Sequence, residues 1–178
     1  MSSKMLKRFF TPPDGSSYFL FGPRGTGKTT WLKYHYPNAY WIDLIDPEIF
    51  RFYSAGPERL RRILAEHHDQ KIVIIDEVQK VPELLNVVHS LIEDKRGYQF
   101  ILTGSSARKL KKEGVNLLGG RALLRHMPPF LAGELGNSFN VDRNLSLGML
   151  PIVLDSPSPK EVLRAYAGIY LKEEVQAE

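Results

Sequence analysis

The 178-residue sequence contains no cysteine, which excludes a disulfide framework, a thiol nucleophile and any cysteine-ligated zinc or iron–sulfur site. Its five histidines are not spaced as a metal-binding pair of the H-E-x-x-H kind. No apolar run approaches the roughly 18 residues of a membrane span, and residues 1–10 lack the apolar core of a signal peptide. We therefore expect a cytoplasmic protein that contacts no membrane.

The amino-acid composition is ordinary and does not indicate which kind of molecule the protein binds. Hydrophobic residues make up 43% and charged residues 25% of the chain, which is the ordinary mix of a soluble globular protein. The net charge of +4 is too small to indicate nucleic acid by itself. A chain of this length can bury a substantial core without a metal or disulfide staple. The length allows one domain, or one domain and part of a second.

Short apolar strands alternate with helices along the chain. The segment Ile72–Ile75 consists of four β-formers with no polar alternation, which is typical of a strand buried in the middle of a parallel sheet. Strands are predicted at Tyr18–Phe21, Asn38–Leu44, Ile72–Ile75, Phe100–Leu102 and Ala122–Met127. Helices are predicted from Lys28 to before Pro37, over Pro57–His68, from Pro82 to near Gly97, from Ser105, and from about Pro159. The alternation predicts an α/β fold with a doubly wound, central parallel sheet of about five strands.

Residues 22–29 read Gly-Pro-Arg-Gly-Thr-Gly-Lys-Thr, which fits the phosphate-binding pattern G-x-x-x-x-G-K-[ST]. The motif lies between a predicted strand and a predicted helix, where glycines let the backbone wrap around phosphates and helix N–H groups point at the anion. Lys28 can reach the β- and γ-phosphates, and the Thr29 hydroxyl can ligate Mg²⁺. We therefore predict a P-loop that binds ATP through Gly22, Pro23, Arg24, Gly25, Thr26, Gly27, Lys28, Thr29 and Thr30.

Two adjacent acids, Asp76 and Glu77, end the most hydrophobic strand. A parallel strand buried on both faces delivers its carboxyl end to the ligand crevice. Asp76 can hold Mg²⁺ there, opposite Thr29, and Glu77 can polarise an attacking water as the base for hydrolysis. The alternative is that both acids only end the strand and pair with nearby lysines. The second acid matters most, because a nucleotide kinase needs a Mg²⁺-binding Asp but no hydrolytic base.

Short hydroxyl side chains follow the next predicted strand, in the run Thr103-Gly104-Ser105-Ser106. In a parallel sheet this places hydroxyls beside the strand that carries Asp76. The Ser105 hydroxyl is therefore a candidate for orienting the attacking water or sensing the γ-phosphate. Ser105 can equally cap the helix that follows, since serine is a preferred N-cap.

The stretch Gly104–His126 carries six basic residues against Glu113 alone; they are Arg108, Lys109, Lys111, Lys112, Arg121 and Arg125. Three interpretations remain open for the segment Arg108–Arg125: a solvated face, a surface that contacts DNA or a protein partner, or the location of an arginine finger. Arg121 is the first candidate for the finger and Arg125 the second. The stretch contains no aromatic residue, which argues against stacking on single strands.

Taken together, residues 22–29, 72–77 and 103–106 resemble the Walker A, Walker B and sensor segments of an AAA-type P-loop ATPase. More closely, the chain resembles a prokaryotic ATPase family that joins such a module to an uncharacterised C-terminal domain. This second resemblance is carried by Ile75–Pro82, Ile101–Ser106, Gly119–Arg121, Gly148–Pro151 and Tyr170–Val175. Gly25 and Thr26 depart from the Gln and aliphatic residue that this family often has there, but both positions are variable.

The resemblance implies a P-loop NTPase three-layer sandwich that binds ATP and Mg²⁺ and hydrolyses the nucleotide. It further implies that Lys28, Glu77, Ser105 and Arg121 act in catalysis, with Arg121 offered to a neighbouring copy in a homo-oligomer. The implied organisation is an N-terminal extension (1–15), an ATPase core (16–136), and a linker with the start of a helical C-terminal region (137–178) that continues in the family. Two other functions stay open: a nucleotide-gated switch that contacts nucleic acid or protein, and a small-molecule kinase, against which Glu77 argues.

Overall fold

The computed structural model describes residues 6–105, 110 and 118–170. Its strands are β1 (Tyr18–Phe21), β2 (Tyr40–Asp43), β3 (Ile72–Asp76), β4 (Gln99–Gly104) and β5 (Leu123–His126). Its described helices are α1 (Lys28–His35), α2 (Pro47–Ala55), α3 (Arg59–Glu66), α4 (Leu84–Glu93), α5 (Ala132–Leu135), α6 (Val141–Leu147), α7 (Pro151–Leu154) and α8 (Pro159–Tyr170). The chain divides into two compact units. The sheet unit comprises Thr11–Pro23 and Lys28–Met127, and the helical unit comprises Met1–Phe10, Arg24–Gly27 and Pro128–Glu178.

All five strands form one parallel sheet in the order β2-β3-β4-β1-β5. This confirms the predicted α/β class and the number of strands. Strand β4 lies between β1 and β3, so the carboxyl end of β4 separates the strand that precedes the P-loop from the strand that ends in Asp76. The three inner strands are almost completely buried, whereas the edge strands β2 and β5 are partly exposed.

Apolar side chains cover both faces of the sheet. Alternate residues of β1, β3 and β4 join the main core cluster with buried residues of α2, α3 and α4; among them are Phe19, Phe21, Val73, Ile75, Phe100 and Leu102. The residues between them point to the opposite face, and Tyr18, Leu20, Ile74 and Ile101 are buried there. The absence of polar alternation in these strands follows from this two-sided burial.

Helix α2 has no counterpart among the sequence predictions. It begins after Asp46, whose carboxylate accepts hydrogen bonds from the backbone N–H groups of Glu48 and Ile49, and Pro47 stands in its first turn. An Asp-Pro pair before a mixed apolar stretch is a recognised helix start, so a signal was present. The predicted helix Pro57–His68 is shorter, as α3, and the helix predicted from Pro82 begins at Leu84. Apart from Ser105 and Leu110, the basic helix predicted from Ser105 lies outside the described residues.

A buried ion pair holds the helical unit together. The Arg8 Nε donates to Glu134 Oε1 at 3.2 Å, and both side chains are nearly inaccessible to solvent. Glu134 also accepts the backbone N–H of Phe9 at 2.6 Å and of Leu131 at 2.9 Å. Burial lowers the pKa of Arg8 from its ordinary value, and Glu134 acts in the opposite direction.

Candidate functional site

The contact between Thr29 and Asp76 is the centre of the site in the sheet unit. Helix α1 begins at Lys28 and β3 ends at Asp76, and the Thr29 Oγ1 donates to Asp76 Oδ2 at 2.8 Å. Asp76 is 1% exposed, so its carboxylate faces the interior of the site. The structure thus brings together the two residues that the sequence assigned to Mg²⁺. A hydroxyl beside a carboxylate is an oxygen-donor set that suits this ion when substrate phosphates complete the coordination.

Thr103, near the end of β4, connects the carboxylate of Asp76 with the backbone of Glu77. Its Oγ1 donates to Asp76 Oδ1 and accepts the backbone N–H of Glu77 at 3.0 Å. The side chain is fully buried. The sequence indicates Ser105 in this run as a candidate, and the hydroxyl that bonds the Asp76 carboxylate and the Glu77 N–H is that of Thr103. The Ser105 Oγ is buried and has no hydrogen-bond partner within the described part of the chain.

Glu77 has a left-handed backbone conformation, with φ 59° and ψ 48°. This conformation is uncommon outside glycine, and it starts a 3₁₀ turn over Val78–Lys80. The Glu77 N–H is held by Thr103, and its Oε2 accepts a hydrogen bond from the side-chain amide of Gln79. The acid that the sequence proposed as a base is therefore fixed at both its backbone and its carboxylate.

Lys28, at the start of α1, folds back over the loop that precedes it. Its Nζ donates to the carbonyl of Gly22 at 2.6 Å and to that of Pro23 at 3.1 Å. The residue is 5% exposed. Carbonyl oxygens hold the ammonium group here in the way that phosphate oxygens can, because both present negative charge to its three donors.

The remaining loop residues, Arg24–Gly27, group with the helical unit. Gly25 and Gly27 have φ of 76° and 86°, a region that only glycine adopts without strain. A Cβ on Gly25 would lie 2.6 Å from Ile152 Cγ2, whereas a Cβ on Gly27 would meet no atom within 4 Å. The backbone at Gly27 is thus open on the side where a side chain would stand, as a phosphate cradle requires. The Thr26 carbonyl accepts a hydrogen bond from Arg8 at 3.0 Å.

Exposure and contacts differ among the other predicted site residues. Thr30 and Arg24 are exposed. Arg121 pairs with Glu93 at the end of α4, and its hydrogen bond lowers the pKa of Glu93. Arg125 donates to the carbonyl of Leu124 at 3.1 Å. The cations Arg108, Lys109, Lys111 and Lys112 lie outside the described residues.

Neither a metal-binding cluster of acids and histidines nor a membrane-spanning helix occurs among the described residues. They contain no group of three or more His, Asp or Glu side chains that could hold a metal ion without other ligands. A Mg²⁺ held by one hydroxyl, one carboxylate and phosphates needs no such group. In the same part of the chain, no helix is both long and apolar enough to cross a membrane.

A parallel sheet whose first strand leads into a glycine-rich lysine loop, and whose buried third strand ends in Asp-Glu, defines a P-loop nucleotide-binding module of the NTPase class. Comparison with family profiles gives a match to the AAA domain over residues 14–136. Because that match spans more than half of the sequence, the chain belongs to the AAA domain family.

Other comparisons are less informative. No curated protein matches the sequence. Among solved structures, the chain is similar to the crystal structure of the Pif1 helicase from Candida albicans, at 20% sequence identity and a TM-score of 0.40. The similar region covers 77% of this chain and 42% of the helicase chain.

Proposed function

We propose that this chain binds ATP with Mg²⁺ and hydrolyses it to ADP and phosphate. The observation that carries the proposal is the contact of Thr29 with Asp76, beside Glu77, with Thr103 bonded to the Asp76 carboxylate and to the Glu77 N–H. Membership of the AAA domain family supports nucleotide binding. The second acid favours hydrolysis over a nucleotide kinase, which needs no base that activates water.

In this proposal the loop residues bind and orient the triphosphate. Lys28 exchanges its carbonyl partners for oxygens of the β- and γ-phosphates, and the backbone N–H groups in the first turn of α1 point at the same charge. Thr29 and Asp76 hold Mg²⁺, which when bound would neutralise charge that develops on the phosphates. Glu77 acts as a general base and takes a proton from the attacking water. Thr103 keeps Asp76 and the Glu77 backbone in a fixed relation.

The sharpest test separates binding from turnover with two variants. Glu77→Gln keeps the size of the side chain but removes the base, so MgATP should bind as in the parent while the hydrolysis rate falls roughly 100-fold or more. Lys28→Ala removes the cation that faces the phosphates, so MgATP affinity itself should fall strongly. Calorimetry measures the first property and steady-state phosphate release the second.

The outcomes distinguish the competing functions. Undiminished MgATP affinity in Lys28→Ala would contradict the P-loop assignment. Parental turnover in Glu77→Gln would leave Glu77 as an ordinary acid at a strand end and favour a kinase or a switch. An assay that includes candidate phosphate acceptors then identifies a kinase by transfer to something other than water.

A second candidate function has support from the charge of one segment. The stretch Gly104–His126 concentrates six basic residues, which favours a surface for DNA or an acidic protein partner whose binding depends on the nucleotide. Turnover would then be slow, and contact through Arg108–Arg125 would be the output. Phosphate release measured with and without DNA distinguishes this switch from a free-running ATPase. We further propose a cytoplasmic location and assembly into a homo-oligomer.

A further inference from the structure

Gln79 is the side chain that contacts the carboxylate of Glu77. Its Nε2 donates to Glu77 Oε2 across the first turn of the 3₁₀ segment Val78–Lys80. Gln79 lies within the Ile75–Pro82 segment that carries the family resemblance, but the sequence assigned it no role of its own. The bond is made possible by the left-handed backbone of Glu77, which lets residues two apart in sequence face each other.

The other end of the Gln79 amide is packed rather than bonded. Its Oε1 is buried and has no hydrogen-bond partner among the residues that the structure describes. This oxygen lies against Gly104, where a Cβ would stand only 2.8 Å from it. A Cβ at position 104 would also lie 3.3 Å from the ring of Phe21. Gly104 therefore leaves the room that the amide of Gln79 occupies.

A buried oxygen without a hydrogen-bond partner is unfavourable, so the position of the amide is not explained by its own hydrogen bonds. The reverse orientation of the amide would direct Oε1 at the carboxylate and leave the two donors of Nε2 against Gly104. In the orientation seen in the structure, Oε1 has no hydrogen-bond partner among the described residues, and Nε2 donates to the Glu77 carboxylate. A buried oxygen without a partner calls for an explanation, and the hydrogen bond from Nε2 to the Glu77 carboxylate supplies one.

We propose that Gln79 is a positioning residue for Glu77, and that Gly104 provides the space for it; the inference rests on the proposed ATPase function. A general base must be held within hydrogen-bond reach of the proton it abstracts. The Glu77 backbone is anchored by Thr103, but its carboxylate lies at the end of three rotatable bonds. The amide of Gln79 removes that freedom.

The test compares Gln79→Met, which keeps volume and loses the donor, with Gly104→Ala, which displaces the amide without touching Glu77. Both should lower kcat by about 10- to 100-fold, the range for a misplaced catalytic group. Affinity for a non-hydrolysable MgATP analogue should stay at the parental value in both. In a Glu77→Gln background neither change should lower kcat further, since residues that act through one another are not additive. An equal further loss in that background would overturn the proposal.

A second measurement does not depend on turnover. The side-chain amide resonance of Gln79, assigned by its absence in Gln79→Met, should move in the ¹H–¹⁵N spectrum of Glu77→Ala. An unmoved resonance would overturn the proposal even if the parent protein hydrolyses ATP. A resonance that moves in a protein with no ATP turnover would confirm the contact and refute the ATPase function, and a positioning role with it.

Discussion

A single hydroxyl, that of Thr103, organises the carboxyl ends of β3 and β4. It donates to Asp76 and accepts from the Glu77 N–H, so it uses a donor and an acceptor in a fully buried place. Valine has nearly the same shape and can make neither bond. The residue thus offers a direct measure of what these two hydrogen bonds contribute.

We predict that Thr103→Val lowers the free energy of unfolding by about 1–3 kcal/mol, because the Glu77 N–H and an oxygen of Asp76 lose their partner in a buried place. Ser105→Ala is the matched control for stability, since its hydroxyl is buried without a partner in the described chain. Urea unfolding of both variants measures the difference. Equal losses in the two would show that the Thr103 bonds contribute nothing specific.

The N-terminal segment of the helical unit is held by the buried ion pair of Arg8 with Glu134. The guanidinium of Arg8 bonds Glu134 and the Thr26 carbonyl, and it lies 4.7 Å from the centre of the Phe130 ring. A buried ion pair is not by itself stabilising, because both charges lose their hydration. Removal of one partner is strongly unfavourable, however, since the other charge stays buried.

We predict that Arg8→Met destabilises the protein by about 3–5 kcal/mol, and that Glu134→Leu added to it recovers part of that loss. The reason is that the double variant leaves no unpaired charge, although the N–H groups of Phe9 and Leu131 lose their acceptor. Thermal and urea unfolding of the single and double variants give the coupling energy. Additive losses would mean that the pair is not coupled in the way its geometry suggests.

Some elements of the fold could be predicted from the sequence, and some contacts between them could not. Strands β1, β3 and β4 were predicted within one or two residues because burial on both faces leaves an uninterrupted apolar run. The P-loop and the Asp76–Glu77 pair could be predicted because each consists of residues adjacent in the sequence, and the roles assigned to them stay predictions. The pairing of Arg8 with Glu134 and the contact of Thr103 with Asp76 could not be predicted, since each depends on residues brought together only by folding. Gln79 escaped notice for the same reason, although it lies two residues from Glu77.

For the whole molecule, we predict how salt affects DNA binding from the positive charge concentrated between residues 104 and 126. If this segment contacts duplex DNA, the binding constant should fall with salt with a log–log slope of about −0.9 for each phosphate neutralised. Replacement of Lys109, Lys111 and Lys112 by glutamine should reduce that slope by up to about three units. Fluorescence anisotropy over a salt series measures it. An unchanged slope would assign these lysines to a solvated face.

Arg121 raises the question of whether one copy of the chain is sufficient for catalysis. A guanidinium supplied to the γ-phosphate can accelerate hydrolysis by about 10³- to 10⁵-fold, because the transition state spreads negative charge over the γ-oxygens. In the structure Arg121 pairs with Glu93, and both side chains are largely exposed. Exposed ion pairs contribute little to stability, so we infer that Arg121 can leave Glu93 at little cost in stability.

We predict that Lys28→Ala and Arg121→Ala are each inactive alone and that their mixture regains activity. The first variant lacks a usable pocket but keeps the arginine, and the second keeps the pocket but lacks the arginine. In a random equal mixture, about one quarter of the interfaces join an intact pocket to an intact arginine, so phosphate release should approach that fraction of the parental rate. Sedimentation at the assay concentration must show assemblies. Full parental activity in a monomeric sample, or no gain on mixing assembled variants, would contradict an arginine that acts between copies and return Arg121 to its own subunit or to its contact with Glu93.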